Sequence, residues 1–127
     1  MADYNRVLIM GRLTRDPDLR YTTSGTAVAD FNLAINRSYA TAEGQSRRET
    51  CFVDVTVWRR LAEVCGGTLK KGSPVFVEGR LHLDTWKGPG GEKRSKLRVI
   101  AESVQFLDKE GEKTDDETAA APESYDF

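Results

Sequence analysis

The chain has 127 residues, a formal net charge of −1 and a hydrophobic fraction of 39%, enough for one small domain with a single core but not for two. No apolar stretch approaches the about 20 residues that a membrane-spanning helix needs, and no signal-peptide pattern opens the sequence, so we expect a soluble, intracellular protein. Charge is uneven: 17 Lys and Arg stand against 13 Asp and Glu in residues 1–108, but 2 against 7 in residues 109–127. The modestly basic body is compatible with a polyanionic partner.

Hydrophobic alternation and turn residues predict five strands in chain order. The predicted strands cover residues 5–13, 26–39, 50–58, 74–86 and 96–107. The second and third form a long hairpin with a flexible polar tip at 40–49. Gly11 is predicted to mark a bend or bulge in the first strand, and Leu19 and Tyr21 allow a short extended piece in the loop that follows.

One helical pattern lies between the third and fourth strands. Its apolar residues, from Leu61 to Leu69, recur at a spacing that places most of them on one side. Gly66 and Gly67 weaken the pattern, and Gly72 is its predicted C-cap. Three strands, a short helix and two further long, bent strands favour an all-β fold, a five-stranded Greek-key barrel of the OB-fold type, over a sandwich of many short strands.

The domain boundary follows from a change in composition. Residues 1–108 are predicted to form the barrel, whereas residues 109–127 lack periodicity and are predicted to be a disordered acidic tail. The two cysteines, Cys51 and Cys65, lack the spacing of a zinc site. We predict that both are buried free thiols in a reducing compartment, and that the protein needs no metal or cofactor.

Large aromatic rings fall on strand faces that also carry polar groups. In the third strand, Phe52 and Trp58 share a face with Asp54 and Thr56, where burial in an apolar core would leave the polar groups unpaired. One interpretation is that the rings pack beneath a helix, a loop or a second subunit. The other is that they stack on the bases of a single-stranded nucleic acid.

The fourth strand repeats the pattern. Trp86 lies on a face with charged neighbours, and Phe76 has the same parity unless a bulge at Gly79 shifts the alternation. The rings are interleaved in sequence with basic residues, namely Arg37, Arg47, Arg48, Arg59, Arg60, Arg80 and Lys87. This interleaving favours stacking, although each arginine alone is equally typical of a solubilising charge. Duplex recognition is disfavoured because no helix-turn-helix, zinc-finger or basic-helix pattern is present.

Several segments, in order and at matching spacing, resemble a known family. NRVLIMGRLTRDPDLRY, LAINRSY, FVDVTVWRRLAEV and LKKGSPVFVEGRL, with the later TW, resemble the bacterial single-stranded DNA-binding protein (SSB) family over residues 4–108. The resemblance implies an OB-fold, a homotetramer in most bacterial members, and sequence-independent binding of single-stranded DNA during replication, recombination and repair. It also implies a location in the bacterial cytoplasm, associated with the nucleoid.

The resemblance carries over to individual positions. It implies that bases stack on Tyr39, Phe52, Trp58 and Trp86, and it places Phe76 where the family has another aromatic residue close to DNA. The candidate phosphate contacts are Arg20, Arg60 and Lys71, which match basic family positions, together with Arg37 and Arg80. Two positions depart from the pattern: Asp54 lies where some members carry a basic residue, and Val53 where they carry a histidine that can help to fix the tetramer.

The acidic tail resembles that of the family only in part. Members typically end in consecutive aspartates and an apolar tip that docks in basic, apolar pockets of replication and repair proteins. Here the consecutive aspartates are Asp115 and Asp116, and the sequence ends in ESYDF without the Ile-Pro pair. The resemblance implies partner docking through Tyr125, Asp126 and Phe127 with altered affinity, and a merely solubilising tail is the alternative.

Other function classes fit less well. An enzyme is disfavoured because the only histidine, His82, lies in a strand beside Asp84 without a nucleophile at fitting spacing. The GPGG segment at 88–91 lacks the Lys-Ser or Lys-Thr of a phosphate-binding loop and is predicted to be a hairpin turn. An OB-fold that binds RNA or an oligosaccharide, a dimeric replication-restart factor and a specialised second SSB stay open, and the acidic tail favours a main SSB over a restart factor.

Overall fold

Six strands and one helix follow one another in the computed structural model, which describes residues 2–107. They are β1 (Val7–Leu13), β2 (Asp18–Tyr21), β3 (Ala27–Ala40), β4 (Ser46–Trp58), α1 (Arg59–Thr68), β5 (Pro74–Lys87) and β6 (Lys93–Phe106). The predicted boundary at residue 108 and the predicted tail over 109–127 lie outside the described residues.

The five long strands close into a barrel. The strand order is β1-β5-β6-β4-β3-β2, and a further pairing between β1 and β3 closes the ring. All pairings are antiparallel except that of β4 with β6, which is parallel at Val55↔Val99 and Thr56↔Ile100. The helix lies between the third and fourth strands of the barrel, so the predicted OB-fold is confirmed. The short β2, which contains Leu19 and Tyr21, pairs with β3 as an additional edge strand.

Alternate side chains of the strands point into the barrel and form its apolar core. Odd-numbered positions of β3, β4 and β5 point inwards, and the largest of them are completely buried. These buried residues are Phe31, Leu33, Val55, Val57, Val75 and Val77. Burial of each such side chain contributes about 1.5–3 kcal/mol, so this cluster is the main source of stability.

The helix covers the barrel with Ala62 and Cys65, both of which are buried. It continues through Gly66 and Gly67 and ends at Thr68, where the Leu69 amide donates to the carbonyl of Cys65 at 2.9 Å. The predicted C-cap at Gly72 is therefore wrong. Gly72 has φ 91° and belongs to the turn that leads into β5. Within the described residues no helix combines the length and apolarity that a bilayer crossing requires.

Two further local expectations differ from the structure. Cys65 is buried, which raises the pKa of its thiol to about 11, but Cys51 is exposed. The prediction of two buried thiols is wrong for Cys51 because β3 and β4 run on as a hairpin past the end of the barrel, where Cys51 faces Ile35. Gly11 is not a bulge: β1 pairs regularly there with β5, and a Cβ would lie 2.6 Å from the carbonyl oxygen of Ala34 on β3.

Candidate nucleic-acid interface

Three large rings are exposed on one outward face of the barrel. Phe52 and Trp58 on β4 are 65% and 39% exposed, and Trp86 on β5 is 46% exposed. Each occupies an even-numbered position of its strand. Side chains at even-numbered positions of β4, β6 and β5 contact one another, so these positions face the same side of the barrel. We call this surface, defined by Phe52, Trp58 and Trp86 and the polar residues between them, the ring face.

A polar network links the three strands of the ring face. Thr56 of β4 is only 2% exposed, yet its hydroxyl donates to Asp30 Oδ1 at 2.6 Å and accepts from Arg98 of β6. Arg98 also donates through Nε to Asp84 Oδ2 of β5 at 2.6 Å, and this contact holds the pKa of Asp84 below its ordinary value. The polar groups beside the rings are therefore paired, which explains how Thr56 can be buried there.

Asp54 has a second set of partners beside Phe52. Its Oδ2 lies 2.5 Å from the ammonium of Lys96 on β6, and its Oδ1 accepts from Asn32 Nδ2 at 2.9 Å. Asn32 Oδ1 in turn accepts from the Thr14 hydroxyl at 3.0 Å. The hydrogen bonds from Lys96, and then from Asn32, lower the pKa of Asp54, which is therefore ionised at neutral pH.

Basic residues line the ring face, and five of them pair with carboxylates. Arg20 lies 2.5 Å from Asp30, and Arg80 lies 3.3 Å from Glu102. The other three pairs are Lys96 with Asp54, Arg98 with Asp84 and Arg94 with Glu92. The sequence analysis did not single out Arg94, Lys96 or Arg98. Their signal is a basic residue at every second position of one strand, which places all three on one face.

One predicted stacking residue lies away from the three rings. Tyr39 is 42% exposed, but it occupies an odd position of β3 opposite Arg47, on the other side of the hairpin from Phe52. The Arg37 guanidinium lies 5.5 Å from the centroid of its ring. Phe76 is half-buried at an even position of β5, up to about 33 Å along the strand from Trp86, and the strand register places it at the end of the face where Trp58 lies. The structure thus places four of the five candidate rings on one side of the barrel.

The possible bulge at Gly79 leaves the parity of β5 unchanged. The register passes from Glu78↔Ser103 to Gly79↔Ala101, so the residue without a partner is Glu102 of β6. Even positions of β5 therefore stay on one face, as the alternation of the sequence indicated.

The remaining predicted contacts lie around the helix or outside the described residues. Arg60 is exposed in the first turn of α1, directly after Arg59, whose φ of 60° makes the sharp transition from β4. Lys71 is exposed in the turn after the helix, and its amide donates to Asp16 Oδ1 at 2.8 Å. The predicted docking residues of the tail, Tyr125, Asp126 and Phe127, lie outside the described residues.

A shallow depression of about 250 Å³ lies between β4 and β6. Phe52, Asp54, Lys96 and Arg98 border it, and apolar side chains, including Val53 and Leu97, also line it. In the part of the chain that the structure describes, no three His, Cys, Asp or Glu side chains are grouped to hold a metal ion. His82 Nε2 lies 3.3 Å from Asp84, whose carboxylate also binds Arg98.

Comparisons with known proteins agree with this geometry. The model of the single-strand binding protein family matches residues 4–107. A single-stranded DNA-binding protein from Wolinella succinogenes is 48% identical over 108 residues, which are 85% of this chain and 67% of the relative. A protein of the same name from Bacillus cereus is 49% identical over 104 residues, which are 82% of this chain and 60% of the relative. The chain thus spans about two thirds or less of these relatives.

Solved structures share the fold. The single-stranded DNA binding protein from Thermus aquaticus, solved as a deletion mutant, superposes with a TM-score of 0.77 at 39% identity, covering 85% of this chain and 52% of that one. Plasmodium falciparum SSB, solved in complex with ssDNA, superposes with a TM-score of 0.79 at 24% identity, covering 85% and 98%. At that identity the second likeness shows the fold alone. By its sequence and its barrel, the chain belongs to the single-strand binding protein family.

Proposed function

We propose that this protein binds single-stranded DNA without regard to sequence, and coats and protects it during replication, recombination and repair. The observation that carries the proposal is the ring face, where Phe52, Trp58 and Trp86 are exposed between basic side chains. Apolar packing alone does not account for rings whose neighbours are ionised. The names of the bacterial relatives support the same function.

The binding mechanism combines stacking with phosphate contact. Every unpaired base offers a flat face to a ring, so the three rings can hold bases of any sequence. The phosphates then lie against the basic residues of the ring face, which include Arg20, Arg80, Lys96 and Arg98. Arg37 beside Tyr39, and Arg60 and Lys71 around the helix, would contact phosphates of a longer strand. A base held on a ring cannot re-pair, and a covered backbone is protected from nucleases. Tyr39 and Phe76 would extend the path of a longer strand beyond the ring face.

A binding protein accounts for these residues better than an enzyme does. His82 is exposed on β5, and its nearest carboxylate, Asp84, is engaged by Arg98. In triad enzymes a carboxylate orients the histidine that acts as general base, whereas Asp84 is bound to Arg98 in a structural network.

We also propose that the protein acts as a homo-oligomer, a tetramer by analogy with its family. Leu81, Leu83 and Leu97 are 44%, 53% and 57% exposed, and Leu83 and Leu97 are direct partners on the odd-numbered face of β5 and β6. In the described residues, β1 pairs with β3 only at Arg12 and Leu13, so an edge of its first half is free. A second copy of the chain would cover both features.

The acidic segment 109–127 is proposed to recruit replication and repair proteins. Its support is compositional, 7 acidic against 2 basic residues in a segment rich in small and polar side chains. Deleting residues 125–127 is expected to leave DNA affinity unchanged and to abolish the capture of partner proteins. Unchanged capture would instead identify the segment as a solubilising tail.

The experiment that tests DNA binding uses the intrinsic fluorescence of Trp58 and Trp86. Oligo-dT is titrated into the protein at two salt concentrations, beside oligo-rU and a DNA duplex of equal length. We expect strong quenching by oligo-dT, a weak response to the duplex and an affinity that falls as salt rises. Tighter binding of oligo-rU would favour the RNA-binding alternative. No quenching by any strand would contradict stacking on these two residues.

A further inference from the structure

The basic side chains of the ring face are largely neutralised within the protein itself. Five ion pairs join Arg20 to Asp30, Lys96 to Asp54, Arg98 to Asp84, Arg80 to Glu102 and Arg94 to Glu92. A phosphate that approaches any of these cations meets a carboxylate already in place. Affinity for a polyanion therefore depends on which ion pair can be separated at a low free-energy cost, so that its cation can contact a phosphate.

The pair of Asp54 and Lys96 is the one best placed to open. The Lys96 side chain is the most exposed of the five cations, at 61%, against 54% for Arg20 and Arg94, 46% for Arg80 and 24% for Arg98, so few contacts separate its ammonium from solvent. Arg98 is fixed on two sides, by Thr56 and by Asp84. Lys96 has one carboxylate partner and a flexible stem, which lets its ammonium turn towards a phosphate.

The carboxylate, in contrast, is held in position. Asp54 keeps its bond from Asn32, and Asn32 is anchored in turn by the Thr14 hydroxyl. Asp54 also borders the depression beside Phe52, where a stacked base would bring its phosphate close. When Lys96 leaves, a fixed negative charge remains beside the bound backbone and repels it.

Building on the proposed function, we propose that Asp54 is a tethered counterion that limits the affinity of the ring face for single-stranded DNA. In the free protein Asp54 is paired with Lys96. A phosphate therefore contacts the Lys96 ammonium only by displacing the Asp54 carboxylate. Neutralising the phosphate releases a cation condensed on the DNA, but the unpaired Asp54 carboxylate attracts a salt cation in its place, so this contact adds little to the net release of salt ions. The result is weaker binding and a shallower dependence on salt than the number of cations alone would give.

The test compares Asp54→Asn with a matched control. The asparagine keeps the oxygen that accepts from Asn32 but loses the charge that holds Lys96. We expect about fivefold tighter binding of oligo-dT at low salt, the scale of one exposed ion pair, and a plot of log affinity against log salt that is steeper by about 0.7. Asp3→Asn makes the same chemical change at an exposed position before β1 and is expected to leave both quantities unchanged.

A double variant shows whether Asp54 acts through Lys96. In a Lys96→Gln background, Asp54→Asn is expected to give a smaller gain in affinity, because it removes only the repulsion by the carboxylate and there is no ammonium to release. A gain of the same size in both backgrounds would overturn the proposal, since Asp54 would then act only through its field. Circular dichroism of each variant checks that the barrel is intact.

The two proposals fail in different ways. If the unmodified protein does not bind oligo-dT, the proposed function is wrong. If it binds but Asp54→Asn binds equally or more weakly, the proposed function stands and the role of Asp54 as a tethered counterion is wrong.

Discussion

At the residue scale, Trp58 lies at the junction of a strand and the helix. It is the last residue of β4 and the N-cap residue of α1, yet it makes no side-chain capping bond and its ring is 39% exposed. The helix therefore does not depend on the ring. Trp58→Ala should weaken the binding of oligo-dT by about 1–3 kcal/mol, the scale of one stacked base, and leave the thermal unfolding temperature nearly unchanged.

Tyr4 supplies the control for this prediction. It is 87% exposed before β1 and is not one of the rings of the ring face, so Tyr4→Ala should not alter affinity. Fluorescence anisotropy of a labelled oligonucleotide measures the affinity of both variants. Loss of folding in Trp58→Ala would show that the ring is a packing residue.

The ion pair of Asp54 also makes a prediction about pH. Its pKa is lower in the folded protein than the ordinary aspartate value of about 3.9, so the unfolded chain takes up this proton first as pH falls. The contribution of Asp54 to stability is thus complete above about pH 4 and is lost as pH falls below that value. Because the pair is partly exposed, the contribution is under about 1 kcal/mol.

Urea unfolding at pH 7 and at pH 3 checks this sign. Asp54→Asn should be slightly less stable than the unmodified protein at pH 7, and the difference should shrink at pH 3. A difference that grows towards pH 3 would contradict the stabilising role of the charged carboxylate.

At the element scale, two glycines test how closely the strands pack. A Cβ on Gly79 would meet the backbone of Ile100 and Ala101, with the Ala101 Cα at 2.9 Å, whereas a Cβ on Gly67 in α1 meets nothing within 4 Å. Gly79→Ala should therefore destabilise the barrel by about 1–3 kcal/mol through backbone overlap. Gly67→Ala should stabilise it by about 0.5–1 kcal/mol through helix propensity.

Thermal unfolding measures the change in stability of both variants. Because the chemical change is the same, the opposite signs expected depend only on the surroundings of each glycine. Equal behaviour of Gly79→Ala and Gly67→Ala would show that β5 and β6 do not approach as closely at this point as the structure indicates.

The elements show what sequence patterns can and cannot predict. Alternation in a single strand is local, so the outward placement of Phe52 and Trp58 and the core of Val55 and Val57 could be predicted. Partners across strands depend on register, which the pattern does not contain; the pairing of Lys96 with Asp54 could therefore not be predicted. The sequence pattern also does not show how far each strand runs past the core. The prediction that Cys51 is buried was wrong for this reason.

At the scale of the whole molecule, the exposed leucines make a prediction about assembly. Leu83 and Leu97 are partners on the odd-numbered face, opposite to the ring face. Leu83→Asp should convert the proposed oligomer to smaller species, because a charge in a closed apolar interface is costly to desolvate. Light scattering after size exclusion measures the mass. His82→Asp, on the even-numbered face, is the control, and an unchanged mass for Leu83→Asp would place the interface elsewhere.

The parallel seam between β4 and β6 has a mechanical consequence. Backbone pairing there is limited to Val55↔Val99 and Thr56↔Ile100, whereas β5 and β6 pair along nearly their whole length. Two stiff hairpins thus meet along a short joint, with Phe52 on one and Trp86 on the other. Few backbone hydrogen bonds across this joint resist a change in the separation of these rings. Such compliance would let the proposed binding surface accept both large purines and small pyrimidines, as binding without regard to sequence requires.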